Sequence, residues 1–237
     1  MMGSGSDPRP TRFVSFSGID GAGKSTQIEA LQHQLEFAGL RVRVLTFWDD
    51  VACFTSLRET AGHTLFKGDK GVGSPERPIE RRDKNVRSRM MTFIRWGMYF
   101  ADAISLRFAV RRAFRSGVDF VICDRYAWDE LANLDLRNWL TRRYVRLLAW
   151  MVPRPDVSYL LDADPVLARA RKPEYPLDFL YECRESYLAL SEVVGGITVI
   201  PPGPIGEVAD HIRSCISLDV EPEQRGASRA AHGDAVA

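Results

Sequence analysis

The chain has 237 residues, of which 45% are apolar and 27% are charged, a composition typical of a globular protein with a sizeable core. The sequence has 32 Lys and Arg residues and 31 Asp and Glu residues, so its net charge does not indicate electrostatic attraction to nucleic acid or to an anionic membrane. No apolar run approaches the roughly 18 residues of a membrane span, and the 4 scattered cysteines indicate neither a zinc site nor a disulfide framework. We therefore expect a cytoplasmic protein that binds neither nucleic acid nor membrane.

The first predicted elements form a strand, a helix and a second strand. Residues 1–11 are polar, and we expect them to be flexible. An apolar run at 13–17 predicts a buried strand, and the apolar spacing of 25–38 predicts a helix that ends at Gly39. Alternation at 41–47 predicts the next strand. This order favours a parallel sheet with helices on both of its faces.

The middle of the chain begins with a charged segment at 67–89, rich in Gly, Pro and basic residues. It is interpreted as a loop leading into a helix, and its charge is either simply solvated or available to a phosphate. A long apolar helix is predicted at 90–115, a strand at 118–123 and a further helix at 128–151.

The last third of the chain alternates strands and helices again, followed by a polar tail of small residues at 219–237 that we expect to be disordered. Asp164 stands before Pro165, which predicts a helix N-cap. Together these patterns predict one domain over 12–218 with a five-stranded parallel sheet. The remaining elements are strands at 157–161 and 197–200 and helices at 164–171, 175–194 and 205–218.

Residues 18–25 fit the phosphate-loop pattern, with Gly18, Gly23, Lys24 and Ser25 at its fixed positions. The glycines let the backbone turn tightly, so that N–H groups point at a phosphate, and the following helix adds its positive end. The lysine ammonium reaches the β- and γ-phosphates, and the serine hydroxyl can bind Mg²⁺. The pattern predicts a site for a nucleoside triphosphate such as ATP, together with Mg²⁺.

The class of phosphate-loop protein is narrowed by what accompanies the loop. The sequence contains no N-K-x-D element of the kind with which GTPases read guanine. A motor that acts on DNA is usually larger and more basic. The size and charge of this chain therefore favour a kinase that acts on a small molecule.

Asp124 and Arg125 follow directly after the strand predicted at 118–123. Ligands bind at this end of a parallel sheet. The carboxylate can hold Mg²⁺ directly or through water, and the arginine can grip a phosphate with two hydrogen bonds. The alternative is that the pair only caps the turn, and its place at the strand end favours the functional interpretation.

A basic cluster lies close to two prolines in the last third of the chain. Arg169, Arg171 and Lys172 precede Pro173 and Pro176. Phosphoryl transfer needs positive charge near the moving phosphate, and a closing lid can supply that charge while it excludes water. The cluster is therefore interpreted as a lid over residues 166–178, and an exposed helix end is the alternative.

Several segments, taken in order, resemble the thymidylate kinase family. Residues 13–27 (FVSFSGIDGAGKSTQ) resemble the start of a thymidylate kinase, and Asp124-Arg125-Tyr126 resembles its D-R-Y element. The resemblance spans residues 12–216. The other matching segments are 57–64, similar to T-R-E-P-G-G-T, 161–165, similar to L-D-x-D-P, the lid arginines, and 182–190 in the helix after the lid.

The resemblance implies a P-loop NTPase fold and a kinase that moves the γ-phosphate of ATP, with Mg²⁺, to a nucleoside monophosphate, with dTMP as the best guess. Ser25 and Asp124 would hold the metal ion. The family also commonly forms dimers through helices, and the apolar stretch at 90–110 could serve, although burial in its own core is equally consistent. The residues implied to bind ATP are Gly18, Asp20, Gly21, Ala22, Gly23, Lys24, Ser25 and Thr26.

The resemblance also implies roles around the acceptor. Asp20 would lie near the acceptor sugar, and Arg125, with Arg58, would hold its phosphate. Tyr126, the third residue of the D-R-Y element, would also bind the substrate. Family members with a small residue at the position of Ala22 take their catalytic arginines from the lid. The residues implied to be catalytic are Lys24, Arg125, Arg169 and Arg171.

Two departures from the family bear on the acceptor. Thr60 replaces the proline that follows Arg-Glu in the family. Residues 99–105 contain neither the arginine nor the Gln or Asn with which the family reads thymine, although Tyr99 or Phe100 could still stack on a base. Because polar readout controls specificity, two alternatives stay open: a kinase of the same fold with another acceptor, and a nucleotide-binding module without turnover.

Overall fold

The structure is a computed structural model that describes residues 10–51 and 89–216. The expectations for the N-terminal segment up to residue 9, for Arg58 and the rest of 52–88, and for the tail after 216 lie outside the described residues.

The described residues contain a single sheet of five parallel strands in the order β2-β3-β1-β4-β5. The strands β1 and β3 align so that Phe16 lies opposite Asp124, and β1 and β4 align so that Ser17 lies opposite Leu160. The carboxyl ends of the three central strands therefore meet at one edge. The strands are β1 Arg12–Ser17, β2 Val42–Thr46, β3 Phe120–Asp124, β4 Val157–Leu161 and β5 Ile197–Ile200.

Helices cover both faces of this sheet. Successive strand residues point to opposite faces, so each strand contributes side chains to both layers of the core. Phe13 of β1 packs in the core cluster that holds Leu106 and Leu148, whereas Val14 packs in the cluster that holds Ile28 and Ile212. The predicted α/β fold of the P-loop NTPase type is confirmed. The helices are α1 Lys24–Phe37, α2 Arg89–Arg115, α3 Ala127–Leu131, α4 Trp139–Met151, α5 Pro165–Arg171, α6 Leu177–Val194 and α7 Ile205–Cys215, with a short π-helix at Phe47–Val51.

The helix predicted at 128–151 is in fact two helices, α3 and α4, so that prediction was wrong. The break is stabilised by Asn138, whose side chain accepts a hydrogen bond from the Leu140 backbone N–H at 2.8 Å and caps α4. A cap of this kind satisfies an N–H group that the helix itself leaves without a partner. The strand predicted at 118–123 is also shifted, and Asp124 is the last residue of β3 rather than the residue after it.

The cap predicted at Asp164 is confirmed. Its Oδ1 atom accepts hydrogen bonds from the backbone N–H groups of Val166 at 2.8 Å and Leu167 at 3.1 Å, and Pro165 occupies the first turn. Pro at this position costs no hydrogen bond, because its missing N–H would have had no partner in the helix. This cap fixes the start of α5, which carries the arginines of the predicted lid.

Candidate active site

The loop between β1 and α1 is enclosed by the backbone of two other elements. Gly18 has a φ of 142°, and a Cβ added to it would lie 2.5 Å from the Leu161 carbonyl oxygen at the end of β4. Gly21 has a φ of 82°, and its added Cβ would lie 2.3 Å from the Ala168 carbonyl oxygen in α5. Contacts this short cannot be tolerated, so both positions require glycine for space as well as for conformation.

Lys24 is folded into this loop. It is 7% exposed, and its Nζ donates hydrogen bonds to the carbonyl oxygens of Gly18 at 2.8 Å and Ile19 at 2.9 Å. Burial and, after it, the nearby Arg125 charge lower the pKa of Lys24 to about 8, against the opposing effect of three carboxylates. The buried ammonium therefore lies beside one further cation and three carboxylates, and a phosphate would add another negative partner for it. The three carboxylates are Asp129, Asp20 and Asp124.

The start of α1 is open to a ligand. Gly23 is its N-cap and makes no side-chain capping bond, and the first turn of this helix contains no acidic residue. Ser25 and Thr26 are exposed there. The free N–H groups and positive dipole end of a helix N-terminus attract phosphate oxygens, so the loop and α1 together can cradle a phosphate chain.

An ion pair joins the loop to the end of β3. The Arg125 guanidinium hydrogen-bonds to the Asp20 carboxylate, and Lys172 Nζ lies 3.9 Å from the same carboxylate. Burial alone would raise the pKa of Asp20, but Arg125, Lys24 and Lys172 together lower it below its ordinary value. The carboxylate is therefore ionised at neutral pH beside three cations, and a phosphate that binds there would compete with it for them.

Arg125 itself adopts a backbone conformation that is unusual for a residue with a side chain. Its φ is 66°, and its N–H donates to the Phe16 carbonyl oxygen at 3.0 Å. The left-handed region costs roughly 1–2 kcal/mol for such a residue, and strain of this kind is found at functional sites. The turn directs the guanidinium back toward the phosphate loop.

The helix α5, which was predicted to belong to a lid, packs directly on the loop. Arg171 Nη1 donates to the Gly21 carbonyl oxygen at 3.2 Å, and Ala168 is buried against Ile19. Arg169 is half-buried in the same last turn of α5. Arg171 therefore contacts the loop. Arg169 lies on the same helix, and among the described residues it makes no hydrogen bond or ion pair to the loop.

A second ion pair joins α6 to the end of β4. Arg184 of α6 donates from Nε and Nη2 to the two carboxylate oxygens of Asp162, at 2.6 Å each. Asp162 directly follows β4, so the pair ties the helix after the lid to the sheet. Two parallel hydrogen bonds of this kind are geometrically specific, and they limit how far α6 can move from the sheet.

The two residues predicted to hold a metal ion offer oxygen ligands at the expected edge. Asp124 ends β3 and lies in register with Phe16 and Thr46, and its charge is felt by Lys24. Ser25 is exposed at the start of α1. Mg²⁺ prefers one or two such protein oxygens together with water and phosphate oxygens. The donor set fits Mg²⁺. The described residues contain no group of three or more His, Cys, Asp or Glu side chains that could hold a metal ion.

The structure corrects the interpretation of two tyrosines as substrate contacts. Tyr126 is 0% exposed, and its hydroxyl donates to the Pro153 carbonyl oxygen inside the core. Tyr99 is 7% exposed and belongs to the same core cluster, because it lies on the buried face of α2. Phe100, the next residue, is 41% exposed. Neither tyrosine ring can stack on a base without leaving the core.

Two residues that the sequence did not single out lie at the centre of this edge. Asp129 is buried and accepts a hydrogen bond from Ser17, and the Tyr187 hydroxyl of α6 also donates to it. The signal in the sequence is slight, since Asp129 only stands three residues after Tyr126, where a capping box places an acid. Tyr187 lies in the segment 182–190 that resembles the family, but its contact with Asp129 could not be predicted, because the two residues are 58 positions apart.

Known proteins resemble this chain over most of its length. It is 31% identical over 190 residues to the thymidylate kinase of Bifidobacterium longum strain DJO10A. The aligned region covers 76% of this chain and 83% of the relative. The chain belongs to the thymidylate kinase family. A second member, the thymidylate kinase of Methylococcus capsulatus, is 29% identical over 199 residues, or 79% of this chain and 85% of the relative.

The fold of this family member is also found in a solved structure. The crystal structure of thymidylate kinase from Ehrlichia chaffeensis matches with a TM-score of 0.53 and 18% identity, over 87% of this chain and 98% of that one. The scan against protein-family models matched none of them. No helix within 10–51 or 89–216 combines the length and the apolar character that a membrane crossing requires.

Proposed function

We propose that this chain is an ATP-dependent kinase that transfers the γ-phosphate of ATP to dTMP and so forms dTDP. The observation that carries the proposal is the Asp20–Arg125 ion pair beside the buried Lys24, because it joins a phosphate loop to a second phosphate-binding arginine. Membership of the thymidylate kinase family supports dTMP as the acceptor.

The donor nucleotide would be held by residues 18–26. Lys24 would exchange its two loop carbonyl partners for oxygens of the β- and γ-phosphates, and the amides of the loop would hold the β-phosphate. Mg²⁺, held by Ser25 and Asp124 with the phosphates, supplies charge neutralisation when it is bound.

The acceptor would bind on the other side of the loop. Arg125 would take its phosphate, and Asp20 would lie near its sugar. Arg171 and Arg169 of α5 would close over the phosphate in transit and neutralise its charge. Phosphoryl transfer requires little covalent chemistry from the protein, so alignment and charge would carry the catalysis. Phe100 stays a proposed stacking partner, and Arg58 a proposed phosphate ligand outside the described residues.

The test is the release of ADP from Mg-ATP with a panel of nucleoside monophosphates, with Lys24→Ala as the control. Turnover with dTMP far above the other acceptors would support the proposal. Preference for another monophosphate would instead favour a kinase of the same fold with a different acceptor. Binding of ATP without turnover on any acceptor would leave only a nucleotide-binding module.

We further propose that the protein is cytoplasmic and forms a homodimer through α2. The free thiols of Cys123 and Cys215 suit a reducing compartment. Ile104 and Phe108 are 40% and 65% exposed and lie on one face of α2, four residues apart. Light scattering after size exclusion should give twice the mass of one chain, and Phe108→Asp should reduce it to one chain. A wild-type mass of a single chain at all concentrations would contradict the dimer.

A further inference from the structure

Asp129 is a buried carboxylate at which three parts of the fold meet. It is 7% exposed. Among the described residues, its Oδ2 accepts hydrogen bonds from Ser17 Oγ at 2.6 Å and from the Tyr126 N–H at 2.9 Å. Its Oδ1 accepts one from the Tyr187 hydroxyl at 2.7 Å and lies 3.7 Å from Arg125 Nη1. The carboxylate therefore connects β1, the turn after β3 and the helix α6.

Two carboxylates hold the two ends of one guanidinium. Arg125 contacts Asp20 through Nη2 and approaches Asp129 through Nη1. Burial opposes the charge on Arg125, but Asp129 first and Asp20 next raise its pKa above the ordinary value. An acceptor phosphate that binds Arg125 must compete with Asp20 for it. Asp129 is the partner that remains, because it lies behind the guanidinium in the core.

We propose, on the basis of the kinase activity proposed above, that Asp129 is a positioning residue that fixes Arg125 for the acceptor phosphate, and that Tyr187 fixes Asp129. Tyr187 lies on α6, which begins at Leu177, within the last residues of the predicted lid. Its hydroxyl thus links the position of the helix after the lid to the arginine that holds the acceptor.

A purely structural role for Asp129 would use only part of this geometry. As a capping residue of α3, it needs just the hydrogen bond from the Tyr126 N–H to Oδ2. The other oxygen, Oδ1, is directed to Tyr187 and Arg125, which a cap does not require. The two roles therefore predict different consequences when the charge is removed but the shape is kept.

The first test is Asp129→Asn, which keeps the size of the side chain and one acceptor oxygen but removes the charge behind Arg125. We expect the KM of the acceptor to rise about tenfold or more, with the KM of ATP changed by less than about twofold, since paired charges in contact are strongly coupled. In an Arg125→Ala background the same substitution should change the acceptor KM by less than about twofold, because the residue it positions is gone.

The second test compares two tyrosine hydroxyls with the same hydrogen-bond length. Tyr187 donates to Asp129 at 2.7 Å, and Tyr159, a core residue of β4, donates to the Ile212 carbonyl oxygen at 2.7 Å. Tyr187→Phe should raise the acceptor KM about threefold or more, while Tyr159→Phe should leave it within about twofold, even where both lower the melting temperature alike.

An equal rise in both KM values for Asp129→Asn, an equal effect with and without Arg125, or equal effects of the two Phe variants would overturn the proposal. A wild-type protein that turns over no monophosphate would instead overturn the kinase activity itself. The coupling then remains measurable as a double-mutant cycle of unfolding free energies for Arg125→Ala and Asp129→Asn. A non-additive cycle supports the pairing of Asp129 with Arg125, and an additive one refutes it.

Discussion

Replacing Gly21 by alanine should damage the contact between the phosphate loop and α5. The added Cβ would lie 2.3 Å from the Ala168 carbonyl oxygen and 2.9 Å from its carbonyl carbon, so α5 has to move away from the loop. Alanine at the φ of 82° also costs roughly 1–2 kcal/mol by itself. Overpacking against a backbone that cannot simply rotate away adds about 1–3 kcal/mol.

Gly39 provides the matched control for this prediction. Its φ is 78°, and among the described residues no heavy atom other than those of its chain neighbours lies within 4 Å of its added Cβ, so Gly39→Ala carries only the conformational cost. Urea denaturation should therefore give Gly21→Ala a lower free energy of unfolding than Gly39→Ala by about 1–3 kcal/mol. Turnover should fall only for Gly21→Ala, because only that change displaces Arg171. Equal stability and equal turnover of the two variants would refute the packing of α5 on the loop.

Three further predictions address the charges of the site. The pKa of Lys24 is lowered to about 8, so raising the pH from 7 to 9 deprotonates most of its ammonium. The Kd of ATP measured by calorimetry should then increase about tenfold. A constant Kd would contradict the burial of Lys24. Asp162→Asn should lower the free energy of unfolding by about 1–2 kcal/mol. The loss is no larger because Arg184 is half exposed and water screens its ion pair with Asp162. An unchanged urea midpoint would show that this pair adds nothing to stability. Arg125→Ala should raise the acceptor KM roughly 100-fold with little change in ATP binding, and steady-state kinetics that lose both equally would contradict its assignment to the acceptor.

The sheet and the phosphate loop could be predicted from the sequence because their signals are local. An apolar run such as 13–17 and the fixed spacing of the loop residues report on neighbours in the chain. The break between α3 and α4 was missed because Leu134 and Leu136 keep the segment apolar, and both are buried in the turn. The pattern thus showed which residues are buried but not that the backbone leaves the helix.

The candidate site was harder to predict because its members come from distant parts of the chain. The predictions placed Tyr126 and Tyr99 against the substrate, yet both face the core, since an aromatic side chain suits either environment. Asp129 and Tyr187 meet only because α6 packs beside the turn after β3. Contacts of this range follow from the folded arrangement of helices and not from spacing in the sequence.

Residues 18–26 and Arg125 are proposed to form a dTMP kinase site together. The most direct test is steady-state release of ADP from Mg-ATP with dTMP and the other nucleoside monophosphates, for the wild type and Lys24→Ala. Turnover with dTMP should far exceed turnover with any other acceptor, and it should be lost in Lys24→Ala. A Lys24→Ala protein that turns over normally, or a wild type that ignores dTMP, would contradict it.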